Sequence, residues 1–174
     1  MVAEVDTCFV SFQIPEMCNF TKSPWKTQKK IRSMLNMWFK DNIFGISGEE
    51  DSDVMSAFVV FSAMGYYPIT PIIPVYTIGS LLLSKITINL PNQEQFIVSV
   101  PNCSDKNKYI QSAKLSGEVL DTPWFTHEQL MNGGVIKLEM CAHPNRSVCL
   151  SESEYPKNFK FICKLGIFIH ILNL

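Results

Sequence analysis

The sequence predicts an α+β protein, with a helical part first and a β-rich part after it. Two segments before residue 65 have apolar residues at helical spacing, whereas beyond Pro68 apolar and polar residues alternate in short runs that are typical of strands. The chain has 174 residues, of which 47% are hydrophobic and 18% are charged. A chain of this length and composition can bury a sizeable core, so a wholly disordered protein is excluded.

The first predicted helix runs from Pro24 to Phe39. Its apolar residues form one stripe of an amphipathic helix, at positions 31, 34, 35, 38 and 39. Ser23 suits the N-cap and Pro24 the first helical position. The lysines in and beside this segment lie off the stripe, and a solvated helix face explains them without nucleic acid. The net charge of −1 likewise gives no field that would attract nucleic acid.

The second predicted helix runs from Asp53 to Met64 and is closed by Gly65, a residue typical of helix ends. It has almost no polar side, and a helix that is apolar all round is typical of the interior of a larger body. The adjacent valines Val59 and Val60 leave a buried strand as the alternative. The acidic residues before the segment and the glycine after it favour the helix.

The β-rich part follows an extended connection that is indicated by Pro68, Pro71 and Pro74. Within it, Thr126 and Gln129 match a capping box, which predicts one short helical stretch. Alternating apolar residues predict four strands, of which the first two form a hairpin: 86–90, 96–100, 109–115 and 136–140.

The segment most suggestive of chemistry is acidic and directly precedes the second helix. Glu49, Glu50, Asp51 and Asp53 place four carboxylates within five residues, and their mutual repulsion costs free energy. A helix N-terminus offsets part of that cost, and a calcium or magnesium ion would offset more. The spacing alone favours a solvated, acidic helix entry, and a cation site is the alternative that remains open at this point.

The acidic segment and the second helix together resemble the hallmark stretch of glycoside hydrolase family 92. Residues 48–51 are similar to the family's G-[ND]-[ED]-D, and residues 55–68 to its M-S-A-[WF] stretch with the Y/F-Y-P turn. The resemblance is collinear from about Phe12 to Asn145. It also includes residues similar to the family's P-W-K-T-Q and I-G-S motifs and to its C-terminal landmarks, at 24–28, 78–80, 107–113, 122–128, 140 and 144–145.

Members of this family are calcium-dependent, inverting exo-α-mannosidases that act on α-mannoside glycans such as N-glycans or mannans. They have an N-terminal β-rich domain and an (α/α)6 catalytic barrel. The resemblance therefore implies a fragment of the helical barrel followed by a small antiparallel β-rich module. On this basis we expect a partial catalytic helical barrel at 1–80, a β-rich C-terminal module at 81–150 and a divergent apolar tail at 151–174.

The resemblance also implies roles for two acidic residues. Asp51 matches the carboxylate taken as general base, and Glu49 matches the acidic partner two residues before it. The family's general acid, a glutamate further upstream, has no counterpart in this sequence. Since inversion needs an acid and a base about 6.5–9.5 Å apart, we expect the chain to be inactive alone. A separate chain that carries the N-terminal domain is a candidate partner.

Calcium is the cofactor that the resemblance implies, although no ligand set follows from this sequence. The family has Asn-Glu-Pro in a region associated with metal and sugar binding, and here those positions are Cys8, Phe9 and Val10. Trp25 could stack on a sugar face, but an aromatic residue at a helix start is more often a packing anchor. The alternative function is a non-catalytic remnant or a carbohydrate-binding or structural module.

Neither end of the chain indicates where in the cell the protein is located. Met1 to Thr7 contain acidic residues and no basic-then-apolar run, so we expect no signal peptide here and leave the localisation unassigned. The apolar stretch from 159 to 174 contains two lysines and is shorter than the ~20 residues that a membrane helix needs. A membrane anchor is therefore the less favoured interpretation of this stretch.

Overall fold

The computed structural model describes residues 13–42, 45, 54–69 and 73–148. The acidic segment 49–53 and the predicted tail 151–174 lie outside these residues. The helices are a 3₁₀ helix at Pro15–Phe20, then α1 (Pro24–Trp38), α2 (Val54–Met64) and α3 (His127–Met131). The strands are β1 (Tyr66–Pro68), β2 (Val75–Ile78), β3 (Lys85–Asn89), β4 (Gln95–Ser99), β5 (Tyr109–Leu115), β6 (Glu118–Val119), β7 (Trp124–Thr126) and β8 (Gly134–Cys141).

Helix α1 confirms the amphipathic helix predicted from the stripe, with Ile31 and Leu35 buried. The predicted N-cap is wrong, because the Ser23 side chain makes no cap hydrogen bond. Ser23 has φ −136° and ψ 49°, outside the extended conformation of a typical N-cap, so its hydroxyl is not directed at the first helical N–H groups.

Helix α2 confirms the choice of helix over strand, and this chain covers only part of its surface. Its buried side chains are Met55, Phe58 and Ser62, which lie on one face at helical spacing. Val60 on another face is 55% exposed. Among the described residues, no helix is long and apolar enough to span a membrane.

The described strands form two sheets, a three-stranded one in the order β1-β2-β7 and a five-stranded one in the order β3-β4-β8-β5-β6. The predicted hairpin is confirmed as β3 and β4, which pair from Lys85 with Ser99 to Asn89 with Gln95. The strands β1 and β2 lie on either side of the proline-rich connection and pair antiparallel. Because β1 and β2 precede residue 80 and β7 follows it, the smaller sheet contains strands from both predicted domains. The domain boundaries themselves stay predictions.

The five-stranded sheet is mixed, so the expectation of a purely antiparallel module is wrong at one pair. Strands β4 and β8 run parallel, from Phe96 with Gly134 to Ser99 with Lys137. The chain between them, which contains β5, β6, β7 and α3, is long enough for the crossover that a parallel pair requires.

Two apolar clusters matter for the position of the site. The larger one joins both sheets, with Phe96 and Phe125 stacked at a ring-centroid distance of 5.6 Å. The smaller one lies between α1 and α2, where Ile31, Leu35 and Phe58 pack together. Both helices are thus held beside the β-rich part, with the start of α2 against the second half of α1.

Candidate active site

The two predicted catalytic carboxylates, Glu49 and Asp51, lie outside the described residues. The structure describes the elements next to them, namely the start of α2 and the elements packed against it, which we call the frame of the site. Val54, the first residue of α2, contacts the α1–α2 cluster. The roles assigned to Glu49 and Asp51 stay predictions.

A buried carboxyl group that the sequence did not suggest lies in this frame. Glu16, on the 3₁₀ helix, is 1% exposed. The Asn19 amide donates to Glu16 Oε2 at 3.1 Å and to the Ile78 carbonyl oxygen at 3.3 Å. A Cβ atom added at Gly79 would lie 3.4 Å from Glu16 Oε1, at van der Waals contact, so the carboxyl group lies directly beside this glycine. These contacts join the 3₁₀ helix to the end of β2.

Burial raises the pKa of Glu16 to about 7, and the hydrogen bond with Thr77 opposes that shift. The Thr77 hydroxyl also donates to the Tyr67 carbonyl oxygen at 3.1 Å, and one hydroxyl proton cannot serve both acceptors at once. Burial, and then the charge of Glu16, raise the pKa of Tyr67. Because Tyr67 also packs on Phe58 of α2, the Glu16 group is linked to the helix that follows the acidic segment.

Three polar side chains of α1 fix the helix in this frame. Thr27 donates to the Pro15 carbonyl oxygen at 2.9 Å, and the Gln28 side-chain oxygen accepts from the Ile110 N–H at 3.0 Å. Arg32, which is 2% exposed, donates to the Leu81 carbonyl oxygen and to the hydroxyl of Ser80. Each bond satisfies a buried group, so loss of one partner would leave the other unpaired.

The third predicted site residue, Trp25, is half-buried at the start of α1. The Arg146 guanidinium carbon lies 5.3 Å from its ring centroid, and Lys26 Nζ lies 5.7 Å from it. These cation–π contacts support the packing interpretation, since a cation over the ring competes with a sugar face for the same surface. Stacking of a sugar on Trp25 stays a prediction.

No cluster of metal-binding side chains is found among the described residues. Within 13–42, 45, 54–69 and 73–148, no group of three or more acidic, histidine or cysteine side chains is placed to hold a metal ion. Around Glu16 the nearest amide presents its NH₂ group to the carboxyl group, which is the wrong polarity for a cation ligand. The Asn19 side-chain oxygen has no hydrogen-bond partner among the described residues.

An open depression of about 310 Å³ lies elsewhere, between the β5–β6 turn and the end of α3. Its lining includes Leu115, Ser116, Glu118, Gln129 and Asn132. One carboxylate and no aromatic ring are among the lining residues, so it lacks the acid–base pair of a glycosidase and the stacking surface typical of sugar sites.

The comparisons with known proteins agree with the motifs on these elements. The profile of the glycosyl hydrolase family 92 catalytic domain matches residues 10–142. A curated relative, named an uncharacterized secreted glycosidase of Arthroderma benhamiae, is 30% identical over 133 residues, which are 75% of this chain and 17% of that protein.

Two solved structures from Bacteroides thetaiotaomicron show the same likeness. One is a family 92 inverting mannosidase, 34% identical, with a TM-score of 0.79 over 84% of this chain and 20% of that chain. The other is a family 92 α-mannosidase in complex with mannoimidazole, 28% identical, with a TM-score of 0.79 over 83% of this chain and 19% of that chain. The chain thus spans about a fifth of the length of these relatives, and by its sequence and fold it belongs to glycoside hydrolase family 92.

Proposed function

We propose that this chain supplies the general-base side of an inverting α-mannosidase active site and is inactive without the rest of the catalytic domain. The observation that carries the proposal is the 34% identity to a family 92 inverting mannosidase over 84% of this chain. Asp51 is the proposed base and Glu49 its acidic partner. The proposed substrate is an α-mannoside glycan.

The proposed chemistry is direct displacement by water. Asp51, as a carboxylate, removes a proton from a water molecule while that water attacks the anomeric carbon. The glycosidic bond breaks as a general acid protonates the leaving oxygen, and this acid must come from outside the sequence of this chain. A base must be ionised at the working pH, and the start of α2, directly after the acidic segment, favours a carboxylate anion electrostatically.

The helices α1 and α2 are, in this proposal, two helices of a partial (α/α)6 barrel. Support comes from their direct packing, which the α1–α2 cluster provides. Calcium, the cofactor that the family implies, would if bound supply polarisation of the sugar hydroxyls. No step of the mechanism is assigned to it.

The test is a chimera in which residues 10–142 of this chain replace the aligned section of the Bacteroides inverting mannosidase. We expect the chimera to release mannose from α-1,2-mannobiose, and Asp51→Asn to lower kcat by about 10²–10⁴-fold or more while substrate still binds. Glu49→Gln should lower kcat less, because it keeps the base.

Three outcomes would contradict the proposal. A chimera that folds and turns over equally well with Asp51→Asn would show that Asp51 is not the base. Mannose release by the pure, isolated chain would show that an acid is present in this sequence after all. A chimera that folds and binds mannoside without any turnover would favour the non-catalytic remnant.

A further inference from the structure

Strand β3 lies at one end of the strand order in the five-stranded sheet, next to β4. Within residues 13–42, 45, 54–69 and 73–148, no strand pairs with the other edge of β3. A strand edge of this kind presents unpaired N–H and C=O groups, to which another strand can bond.

The hydrogen bonds at the two ends of the β3–β4 hairpin show which residues of β3 bond to β4. The Val100 N–H donates to the Ser84 carbonyl oxygen at 2.7 Å, and the Leu90 N–H donates to the Glu94 carbonyl oxygen at 2.9 Å. Bonded and non-bonded pairs alternate along an antiparallel ladder. The even-numbered residues of β3 therefore bond to β4, and the odd-numbered residues direct their backbone groups to the open edge.

The side chains of β3 alternate in the same way. The odd-numbered residues Lys85, Thr87 and Asn89 are exposed. The even-numbered residues Ile86 and Ile88 are half-buried and pack against the larger apolar cluster. The open edge thus has a polar row on the solvent side and an apolar row on the core side.

This edge is complementary to a second copy of itself. When two copies of β3 lie antiparallel with their Thr87 residues opposite each other, Lys85 of each copy faces Asn89 of the other. The two Thr87 residues exchange two backbone bonds, and each Lys85–Asn89 pair exchanges two more, because all of these groups point outward. On the core side, Ile86 of one copy lies beside Ile88 of the other. No two like charges lie opposite each other, and paired threonines are favourable neighbours across strands.

The residues around β3 fit this register. Pro91, two residues after β3, has no N–H group to donate and lies in a turn, so the ladder stops at Asn89. The Gln95 side-chain amide donates to Asn89 Oδ1 at 2.9 Å. That oxygen has a second lone pair, which can accept a bond from the Lys85 ammonium group of the other copy.

We propose that β3 is a self-association edge, through which two copies of this chain form a dimer with their five-stranded sheets joined. The contact between two short strands is small beside the roughly 1,200–2,000 Å² of stable interfaces, so the dimer is weak. Self-association through β3 does not depend on the role proposed for Asp51.

Sedimentation velocity of the full chain measures the association from about 5 to 500 µM, a range that suits weak complexes. We expect monomer at the lowest concentration and dimer at the highest. Thr87→Lys places two lysines opposite each other at the centre of the contact and should raise the dissociation constant about 10-fold or more. The matched control is Val119→Lys, which adds the same charge at the other edge of the sheet, where the valine is 66% exposed. It should change the dissociation constant by less than about 2-fold.

Two further samples separate loss of the contact from loss of the fold. Thr87→Pro removes the outward N–H group at the centre of the contact, and the β3–β4 bonds remain because the even-numbered residues make them. This variant should weaken the dimer while its far-UV circular dichroism spectrum stays that of wild type. An equimolar mixture of Thr87→Lys and Thr87→Glu should restore the dimer, because opposite charges then face each other.

Several results would overturn the proposal. A wild-type chain that stays monomeric over the whole range has no self-association edge. A dimer that persists unchanged in Thr87→Lys and in folded Thr87→Pro forms through another surface. A dimer that appears only after residues 151–174 are removed identifies the chain's own end as the occupant of the edge. A mixture of the lysine and glutamate variants that does not associate shows that the two Thr87 residues do not lie opposite each other.

Discussion

The five-stranded sheet and helix α2 are both rich in apolar residues, but they are covered differently. Phe96, Val98 and Ile136 of the sheet are at most 3% exposed, because the smaller sheet and its aromatic residues close over them. Helix α2 is covered on one face by α1 and Tyr67 and is open on another. The difference shows that the core of the β-rich part is closed mainly by its own strands, whereas one face of α2 is left uncovered.

The contact between the helices and the sheets, which we call the seam, is polar. Gln28 of α1 accepts from the Ile110 N–H of β5, and Arg32 donates to the Leu81 carbonyl oxygen just after β2. Asn19 donates to the Ile78 carbonyl oxygen of β2, and Glu16 packs against Gly79. Such bonds are directional and fail unless both partners are in place. The seam therefore fixes one orientation of the helices on the sheet, which apolar contact alone would specify less strictly.

The variant with the largest expected effect tests how fully each of the two apolar clusters is enclosed. Phe96→Ala should lower the free energy of unfolding by about 3–5 kcal/mol, because the side chain is fully buried and the sheets around it cannot collapse into the cavity. Phe58→Ala removes an equally buried ring from the α1–α2 cluster, which has an open side and can relax, so its cost should be smaller. Urea unfolding of both variants measures the difference. Equal costs would show that the α1–α2 cluster is closed as completely as the core between the sheets.

A smaller effect is expected at the seam and depends on pH. The folded-state pKa of Glu16 is raised from 4.5 to about 7, so the folded protein holds this proton more tightly than the unfolded chain. The stability from neutral Glu16 is fully present below about pH 4.5 and is lost as pH rises through about 7. Glu16→Gln should remove roughly 2–3 kcal/mol of the fall in stability between pH 5 and pH 8.

The measurement is chemical denaturation of wild type and Glu16→Gln at several pH values. Glu118→Gln, at an exposed position on β6, is the matched control and should leave the pH profile of wild type unchanged. A pH dependence that persists in Glu16→Gln would show that the carboxyl group at the seam is not the group that titrates.

The smallest expected effect lies at the start of α3, in the β-rich part. The Thr126 hydroxyl accepts from the Gln129 N–H at 3.1 Å, and the Gln129 side-chain oxygen accepts from the Thr126 N–H at 2.8 Å. Thr126→Ala should cost about 1 kcal/mol of unfolding free energy, whereas Thr126→Ser keeps the hydroxyl and should cost less. If the two variants cost the same in thermal unfolding, the cap bond is not what stabilises this turn.

The candidate site was only partly accessible to sequence reasoning. Glu49 and Asp51 were suggested by motif resemblance, and their roles stay predictions. Glu16 gave one weak signal, a carboxylate between Pro15 and Met17 in an otherwise apolar run. Its burial could not be predicted, because the groups that surround it, Thr77 and Gly79, come from about 60 residues further along the chain.

Local patterns in the sequence by themselves determined α1, the β3–β4 hairpin and the capping box of α3, since helical and strand periodicity and cap geometry involve residues close in the chain. The family followed from motifs in the same way. The tertiary structure alone decided the parallel pairing of β4 with β8 and the open face of α2. Strand partners and covered faces depend on which distant surfaces come into contact. The local periodicity of the sequence carries no information about contacts between residues far apart in the chain.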